Sequence, residues 1–197
     1  MKYVYSNTEY DKYVETQKIK TVDYLNSRKR DRQYNDIKNR FSNRNEYLLK
    51  YAKFGKVLCI GAKTGAEVQA FNELGFEAIG IDLVECKPYV IAMDMMDMKF
   101  NYKFDIIYTN AIDHAFDVVK FIKEIKNNIV ELGIVVIDWN HNAKGTIGAW
   151  EAVNLEDCEE IVSLFEDAGF RFLEKPELPK RYGCHGSLEE YLIFEAP

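Results

Sequence analysis

The chain has 197 residues, 47% hydrophobic and 29% charged, with a net charge of −6 at pH 7. That is the size of one ordinary domain with its own core, and its apolar runs fall well short of the ~20 residues that cross a bilayer, so no membrane span is expected. The four cysteines, Cys59, Cys86, Cys158 and Cys184, form no C-x-x-C pair, which argues against a disulfide framework or a clustered zinc site.

The opening residues, "MKYVYSNTEYDKYVE", lack the apolar core and small-residue cleavage site of a secretory signal, and a reducing cytoplasm is the expected location. Charge is unevenly spread. Residues 1–53 carry 13 Lys and Arg against 7 Asp and Glu, a net +6, whereas residues 54–197 carry 13 against 25, a net −12. A basic arm on an acidic body can reach for an anionic ligand or lie on the body itself. Nucleic-acid binding is the less favoured reading, because "RKRDRQYNDIKNR" is short and interrupted by acids.

In chain order, residues 8–52 are polar and tyrosine-rich, with Tyr13, Ile19, Val22 and Leu25 near helical spacing. This predicts a helical cap over 1–53, two helices broken between Asn26 and Arg32. From residue 54 the texture changes. "KVLCI" (56–60) predicts a buried strand, "TGAEVQAFNEL" (64–74) a helix, and "EAIGID" (77–82), "PYVIAM" (88–93) and "FDIIYTN" (104–110) three further strands. "DVVKFIKEIKNNI" (117–129) predicts a helix capped by Asp117, and "GIVVIDW" (133–139) a fifth strand. After the glycine-containing loop "HNAKGTIGAW" comes a helix over 154–169, with Asn154 as cap and Gly169 as stop. "FRFLEKPEL" and "EEYLIFEA" (189–196) then read as an antiparallel pair at one sheet edge. The alternation predicts an α/β protein with a mainly parallel sheet covered on both faces.

The stretch "VLCIGAKTGAEV" is a strand, a turn on Gly61 and Gly65, and a helix. Such a turn brings a ligand against bare backbone at the carboxyl edge of the sheet, where helix N–H groups are free. Asp82 closes the second strand 21 residues after Gly61, where a carboxylate can accept from two ribose hydroxyls. An adenosine-containing ligand follows. A Walker A loop is excluded, since Ala62 and Val57 stand where its glycines are required. The dinucleotide fingerprint is weakened by Lys63 at its middle glycine.

Taken together, "VLCIGAKTGAEV", "AIGIDLVE", "AMDMMDMKFNYKFDIIYTNAIDHAFD" and "IVELGIVVIDW" resemble, in order, the motifs of class I S-adenosylmethionine-dependent methyltransferases. That family's phrases are of the kind V-L-D-x-G-C-G-x-G, G-x-D, G-D-A-x-x-L-P-F-x-x-x-x-F-D-x-V and L-K-P-G-G. The resemblance spans about Phe54 to Pro197 and is nearest to a subset reading C-L-G-A-R-x-G-x-E-V and N-x-x-D-H-A. It implies a Rossmann-like, three-layer fold with seven strands ordered 3-2-1-4-5-7-6, the last antiparallel, and S-adenosyl-L-methionine as cofactor. It further implies Gly61, Ala62 and Gly65 under the methionine part, Asp82 on the ribose and Leu83 on the adenine. Asp94 would receive the adenine amino group beside the Met95 N–H, and the Asn110 carbonyl the ammonium. Two positions depart from the pattern: Cys59 replaces an acid and Lys63 a glycine, and Lys63 either pairs with the cofactor carboxylate or partly blocks the site.

Methyl transfer is an in-line displacement that mainly requires alignment and exclusion of water, and a base is needed only where the acceptor must lose a proton. His114 and Asp113, after the fourth strand, are the candidates for that base. Trp139, Asn140 and His141 read as pocket lining, Cys184 and His185 lack a third metal ligand at suitable spacing, and Tyr34, Tyr47, Tyr51 and Arg44 pack the arm or cover the cofactor. A small-molecule acceptor is expected. The alternatives are a non-catalytic ligand- or partner-binding module and an RNA methyltransferase using the basic arm.

Overall fold

The computed structural model describes residues 1–25, 34–35, 38, 55–141, 151–176 and 188–197, with backbone alone at 7, 140, 141 and 188–190. Its centre is strand β1 (Lys56–Ile60), whose alternate residues face opposite layers. Leu58 and Ile60 enter one apolar core, and Val57 and Cys59 the other. Such a strand, buried on both faces, is written as a continuous apolar run.

β1 pairs in parallel with β2 (Glu77–Asp82) on one side and β4 (Phe104–Thr109) on the other. β3 (Val90–Ala92) adds in parallel outside β2, and β5 (Ile129–His141) outside β4. The two late strands, β6 (Arg171–Glu174) and β7 (Leu188–Glu195), pair antiparallel with each other, and β7 pairs antiparallel with β5. The order is therefore 3-2-1-4-5-7-6, as the resemblance implied. It places a chain reversal between β1 and β4, so a crevice opens beside the end of β1.

Helix α1 is Tyr10–Leu25, α2 is Ala66–Glu73, α3 is Val118–Asn128 and α4 is Cys158–Asp167. α3 buries Val118, Phe121, Ile122 and Ile125, a single face at helical spacing, and the Asp117 carboxylate accepts from the Lys120 N–H at 3.0 Å as expected of a cap. Phe121, Phe165 and Phe194 are among the largest fully buried side chains, each worth roughly 1.5–3 kcal/mol in water-excluded area.

Three expectations change. The α4 cap is Asp157, which accepts from Glu160 N–H at 2.9 Å. Asn154 lies instead in a two-residue strand, Val153–Asn154, paired antiparallel with Lys2–Tyr3. Both residues are good caps in isolation; the tertiary pairing of the amino terminus selects between them. β5 begins at Ile129, four residues before Gly133, because Leu132 takes a left-handed φ of 58° and the strand continues past a register shift opposite Phe104 and Ile106. On α1 the buried residues are Tyr13, Gln17 and Thr21, while Ile19 and Val22 are 53% and 45% exposed. The arm packs a mixed face inward. Of the predicted arm, α1 accounts for the first helix; the second lies outside the described residues, apart from 34–35 and 38. Among the described residues no helix is long and apolar enough to cross a membrane.

Candidate functional site

The glycine turn folds over the end of β2. Gly61 N–H and Ala62 N–H both donate to the Ile81 carbonyl, at 2.9 and 3.0 Å, and Gly65 N–H closes the turn on Ala62 O at 2.7 Å. Gly61 has φ 74°, and a Cβ there would stand 2.6 Å from the Ala111 Cβ, so only glycine fits. Gly65, φ 72°, is crowded from the other side: its Cβ would stand 2.4 Å from that of Tyr89. Thr109 fixes the opposite wall, its buried hydroxyl donating to Ile60 O at 3.2 Å and accepting from Ala111 N–H at 3.1 Å.

Lys63 occupies the middle position of the turn in the left-handed region, φ 42°, and its N–H donates to Asp82 Oδ2 at 3.1 Å. The acid at the end of β2 is thereby tied to the turn at the end of β1. Asp94, just beyond β3, uses Oδ1 to accept from Met96 N–H at 2.8 Å. Gly61, Lys63, Asp82, Leu83, Asp94, Met95 and His114 all line one crevice.

The remaining expected residues lie elsewhere. Ala62 is buried in the core beneath α2, where it packs against Gly80, and Gly65 supports the turn without reaching the crevice. Asn110 and Asp113 are also absent from the lining, where Ala111 stands between the turn and His114. Asp113 instead offers its carbonyl to Ala152 N–H at 2.8 Å, beside the amino-terminal strand pair. Trp139 is core rather than lining, and the side chains of Asn140 and His141 lie outside the described residues, as do Arg44, Tyr47, Tyr51, Cys184 and His185. Tyr34 packs on the outer side of α2, its hydroxyl on Glu73 and accepting from Lys38 at 3.0 Å; it packs and does not cover. Cys59 is wholly buried, and desolvation, with the Glu67 carboxylate nearby, pushes its thiol up. It is a neutral packing residue, so the missing acid does not alter the crevice wall. Among the described residues no cluster of His, Cys, Asp or Glu could hold a metal ion.

The residues that sequence reasoning missed come from α1. Tyr10, Tyr13, Val14, Gln17 and Thr21 line the crevice from above, with Phe116 from the loop after β4. Thr21 donates to Asp82 Oδ1 at 3.2 Å, and the Tyr10 hydroxyl donates to Asp94 Oδ2. Tyr13 donates to His114 O at 2.8 Å, and its ring lies 5.6 Å from that of Phe116. Lys20 Nζ lies 3.0 Å from His114 Nε2. The signal was available in principle: residues 10, 13, 14, 17, 20, 21 and 24 share one helical face, but it mixes tyrosines with Gln17, Lys20 and Thr21, and only Tyr13 of it joins the apolar positions Ile19, Val22 and Leu25.

Burial dominates the electrostatics. It raises the Asp82 carboxyl above its ordinary value against the lowering pull of the Lys63 N–H and charge, and raises Asp113 likewise against Lys20 and Lys63. Burial, then Lys63, brings Lys20 down to about 8. Burial and the Asp94 carboxylate push the Tyr10 hydroxyl up, keeping it a neutral donor. With Lys20 charged, its ammonium donates and His114 Nε2 accepts, so that nitrogen is engaged in this conformation.

A sheet of this order, with an antiparallel last strand and a crevice between the ends of β1 and β4, is the Rossmann-like fold of class I methyltransferases. No profile of a known protein family matches the chain, and no curated protein matches it in sequence. Solved structures do match in shape. The chain is similar to the Burkholderia thailandensis 1,6-didemethyltoxoflavin-N1-methyltransferase, solved with 1,6-didemethyltoxoflavin and S-adenosylhomocysteine, at TM-score 0.70 and 15% identity, over 100% of this chain and 92% of that one. It is similar to a Clostridium acetobutylicum S-adenosylmethionine-dependent methyltransferase at TM-score 0.60 and 13% identity, over 83% and 92%. It is also similar to the [4+2]-cyclase SpnF at TM-score 0.58 and 12% identity, over 79% and 80%. At these identities the likeness establishes the fold, and the cyclase shows that one fold carries different chemistry.

Proposed function

We propose that the chain binds S-adenosyl-L-methionine and transfers its methyl group to a small-molecule acceptor. The observation that carries this reading is the Asp82 carboxylate, held by the Lys63 N–H beside a Gly61 turn on which no side chain fits. Acids at consecutive strand ends, Asp82 and Asp94, on one crevice suit a molecule offering two hydroxyls and an amino group, as a nucleoside does. Two of the structurally similar proteins are S-adenosylmethionine-dependent or carry its demethylated product, which supports the same ligand.

In this reading Asp82 accepts from the ribose hydroxyls, Leu83 packs on the adenine, and Asp94 with the Met95 N–H takes its polar edge. The backbone at Gly61, Ala62 and Gly65 shapes the bed of the methionine part, Lys63 pairs with its carboxylate, and the Asn110 carbonyl receives its ammonium. When bound, the cofactor would supply an activated methyl group on a sulfonium. The chain's own share is alignment and the exclusion of water. His114 Nε2, once freed from Lys20, is the crevice atom placed to take a proton from an acceptor that must lose one. Asp113 stands outside the lining, its carboxylate accepting from the His114 N–H and acting on Lys20 through its charge.

Titration calorimetry with S-adenosylmethionine and S-adenosylhomocysteine tests the assignment. Micromolar binding is expected, weakened about 100-fold or more in Asp82→Ala, since two hydrogen bonds to a charged group are worth ~1.5 kcal/mol or more each. Equal binding by the variant contradicts it. The non-catalytic ligand-binding reading differs in the chemistry alone. Binding of both ligands with no methyl transfer to any acceptor would favour it.

A further inference from the structure

The donor set fits a nucleoside, but the space does not: with about 50 Å³ open, the crevice is filled from above by α1. The filling is specific. Thr21 donates to Asp82 Oδ1 and Tyr10 to Asp94 Oδ2, so two hydroxyls of one helix face satisfy the two carboxylates that the proposed ligand needs. Tyr13 on His114 O and Lys20 on His114 Nε2 extend the same face to the far end of the crevice.

α1 turns a mixed face inward, the rings of Tyr10 and Tyr13 packing on Phe116 while their hydroxyls, with Gln17 and Thr21, meet the crevice, and it leaves the wholly apolar Ile19 and Val22 in water. Partly buried carboxylates are stabilised by hydrogen-bond donors, and in a site shaped for a ligand an internal helix that supplies them competes with that ligand.

We propose that α1 is an autoinhibitory latch, its Tyr10 and Thr21 hydroxyls standing in for the adenine amino group and a ribose hydroxyl, and that the cofactor enters only as α1 is released. This rests on the cofactor assignment above. Binding is then reduced by the fraction of molecules whose latch is closed. Whatever stabilises the open arm, including an acceptor that engages it, raises cofactor affinity.

The test uses the full chain carrying Tyr10→Phe and Thr21→Val together, substitutions that keep ring and shape while removing both hydroxyls. S-adenosylhomocysteine is titrated by calorimetry, and amide hydrogen exchange over α1 is followed with and without it. The latch predicts about tenfold tighter binding by the double variant and faster exchange across 10–25 when wild type is saturated. Unchanged or weaker binding by the double variant, or slower α1 exchange in the saturated wild type, overturns it, because α1 would then be indifferent to the ligand or close upon it. Absence of binding by wild type, double variant and Asp82→Ala alike is a different result: it overturns the cofactor assignment, and the latch with it.

Discussion

The Lys63 N–H donates to Asp82 Oδ2 at 3.1 Å, joining the turn after β1 to the carboxyl end of β2. It does so from a left-handed backbone, φ 42°, which costs a non-glycine residue about 1–2 kcal/mol. A position normally suited to glycine thus carries a side chain at some expense to stability.

Replacing Lys63 by glycine separates those two effects. Lys63→Gly keeps the N–H and relieves the strain, less what the more flexible unfolded chain gains, for a net stabilisation of about 0.5–1 kcal/mol and a rise of roughly 1–4 °C in melting temperature. Affinity for S-adenosylhomocysteine falls at the same time, through loss of the ammonium. Thermal unfolding and calorimetry on one preparation check both; a lower melting temperature would show that the left-handed turn carries no strain.

Gly61→Ala brings a Cβ to 2.6 Å from that of Ala111 on top of a φ of 74°. The backbone and overpacking costs add to about 2–4 kcal/mol. Urea unfolding measures the loss, and a variant within 0.5 kcal/mol of wild type, about the effect of an ordinary surface change, would mean that the turn yields easily.

The Asp82 carboxyl is raised by burial, so between its unfolded and folded values the native state holds a proton that the unfolded chain has released. Stability from this group therefore falls as pH rises through that window, and its penalty is fully present at neutral pH. Asp82→Asn removes the titration. The stability of wild type relative to the variant is expected to improve as pH falls from 7 toward the ordinary aspartate value of ~3.9, in paired urea titrations. A relative decline on acidification would reverse the sign.

Lys20 is the mirror case. Its folded value is lowered to about 8, so the unfolded chain binds the proton more tightly, and stability from this group rises with pH between that value and the ordinary ~10.4 of lysine. Lys20→Met, which keeps most of the stem, is expected to be more stable than wild type at pH 7, with an advantage that shrinks above pH 8. A pH-independent difference would place the penalty elsewhere.

How far the sequence reaches depends on what each segment packs against. β1, β2 and β4 were legible almost to the residue: β1 and β4, buried on both faces, are apolar runs whatever their neighbours, and β2 is a short β-former run closed by Asp82. The strand order followed from the motif resemblance, and Asp82, Asp94, Gly61 and Lys63 do converge at one crevice. Asn154 failed as a cap because a two-residue pairing with Lys2–Tyr3, remote in sequence, takes its backbone. Asp113 was grouped with His114 by adjacency, although the short helical turn at Ile112–His114 sends only one of the two into the crevice. α1 was misoriented for a deeper reason. Hydrophobic periodicity finds the face that seeks an apolar core, whereas the inner face of this helix packs tyrosine rings and places hydroxyls on two carboxylates.

The central claim is that the crevice bounded by Gly61, Lys63 and Asp82 receives an adenosyl ligand. Amide chemical-shift mapping of the isotope-labelled full chain during titration with S-adenosylhomocysteine tests it most directly. The account predicts saturable shifts concentrated at Gly61 to Lys63, Asp82 and Leu83, Asp94 to Met96 and along α1. Shifts confined to other surfaces, or none at millimolar ligand, would contradict it.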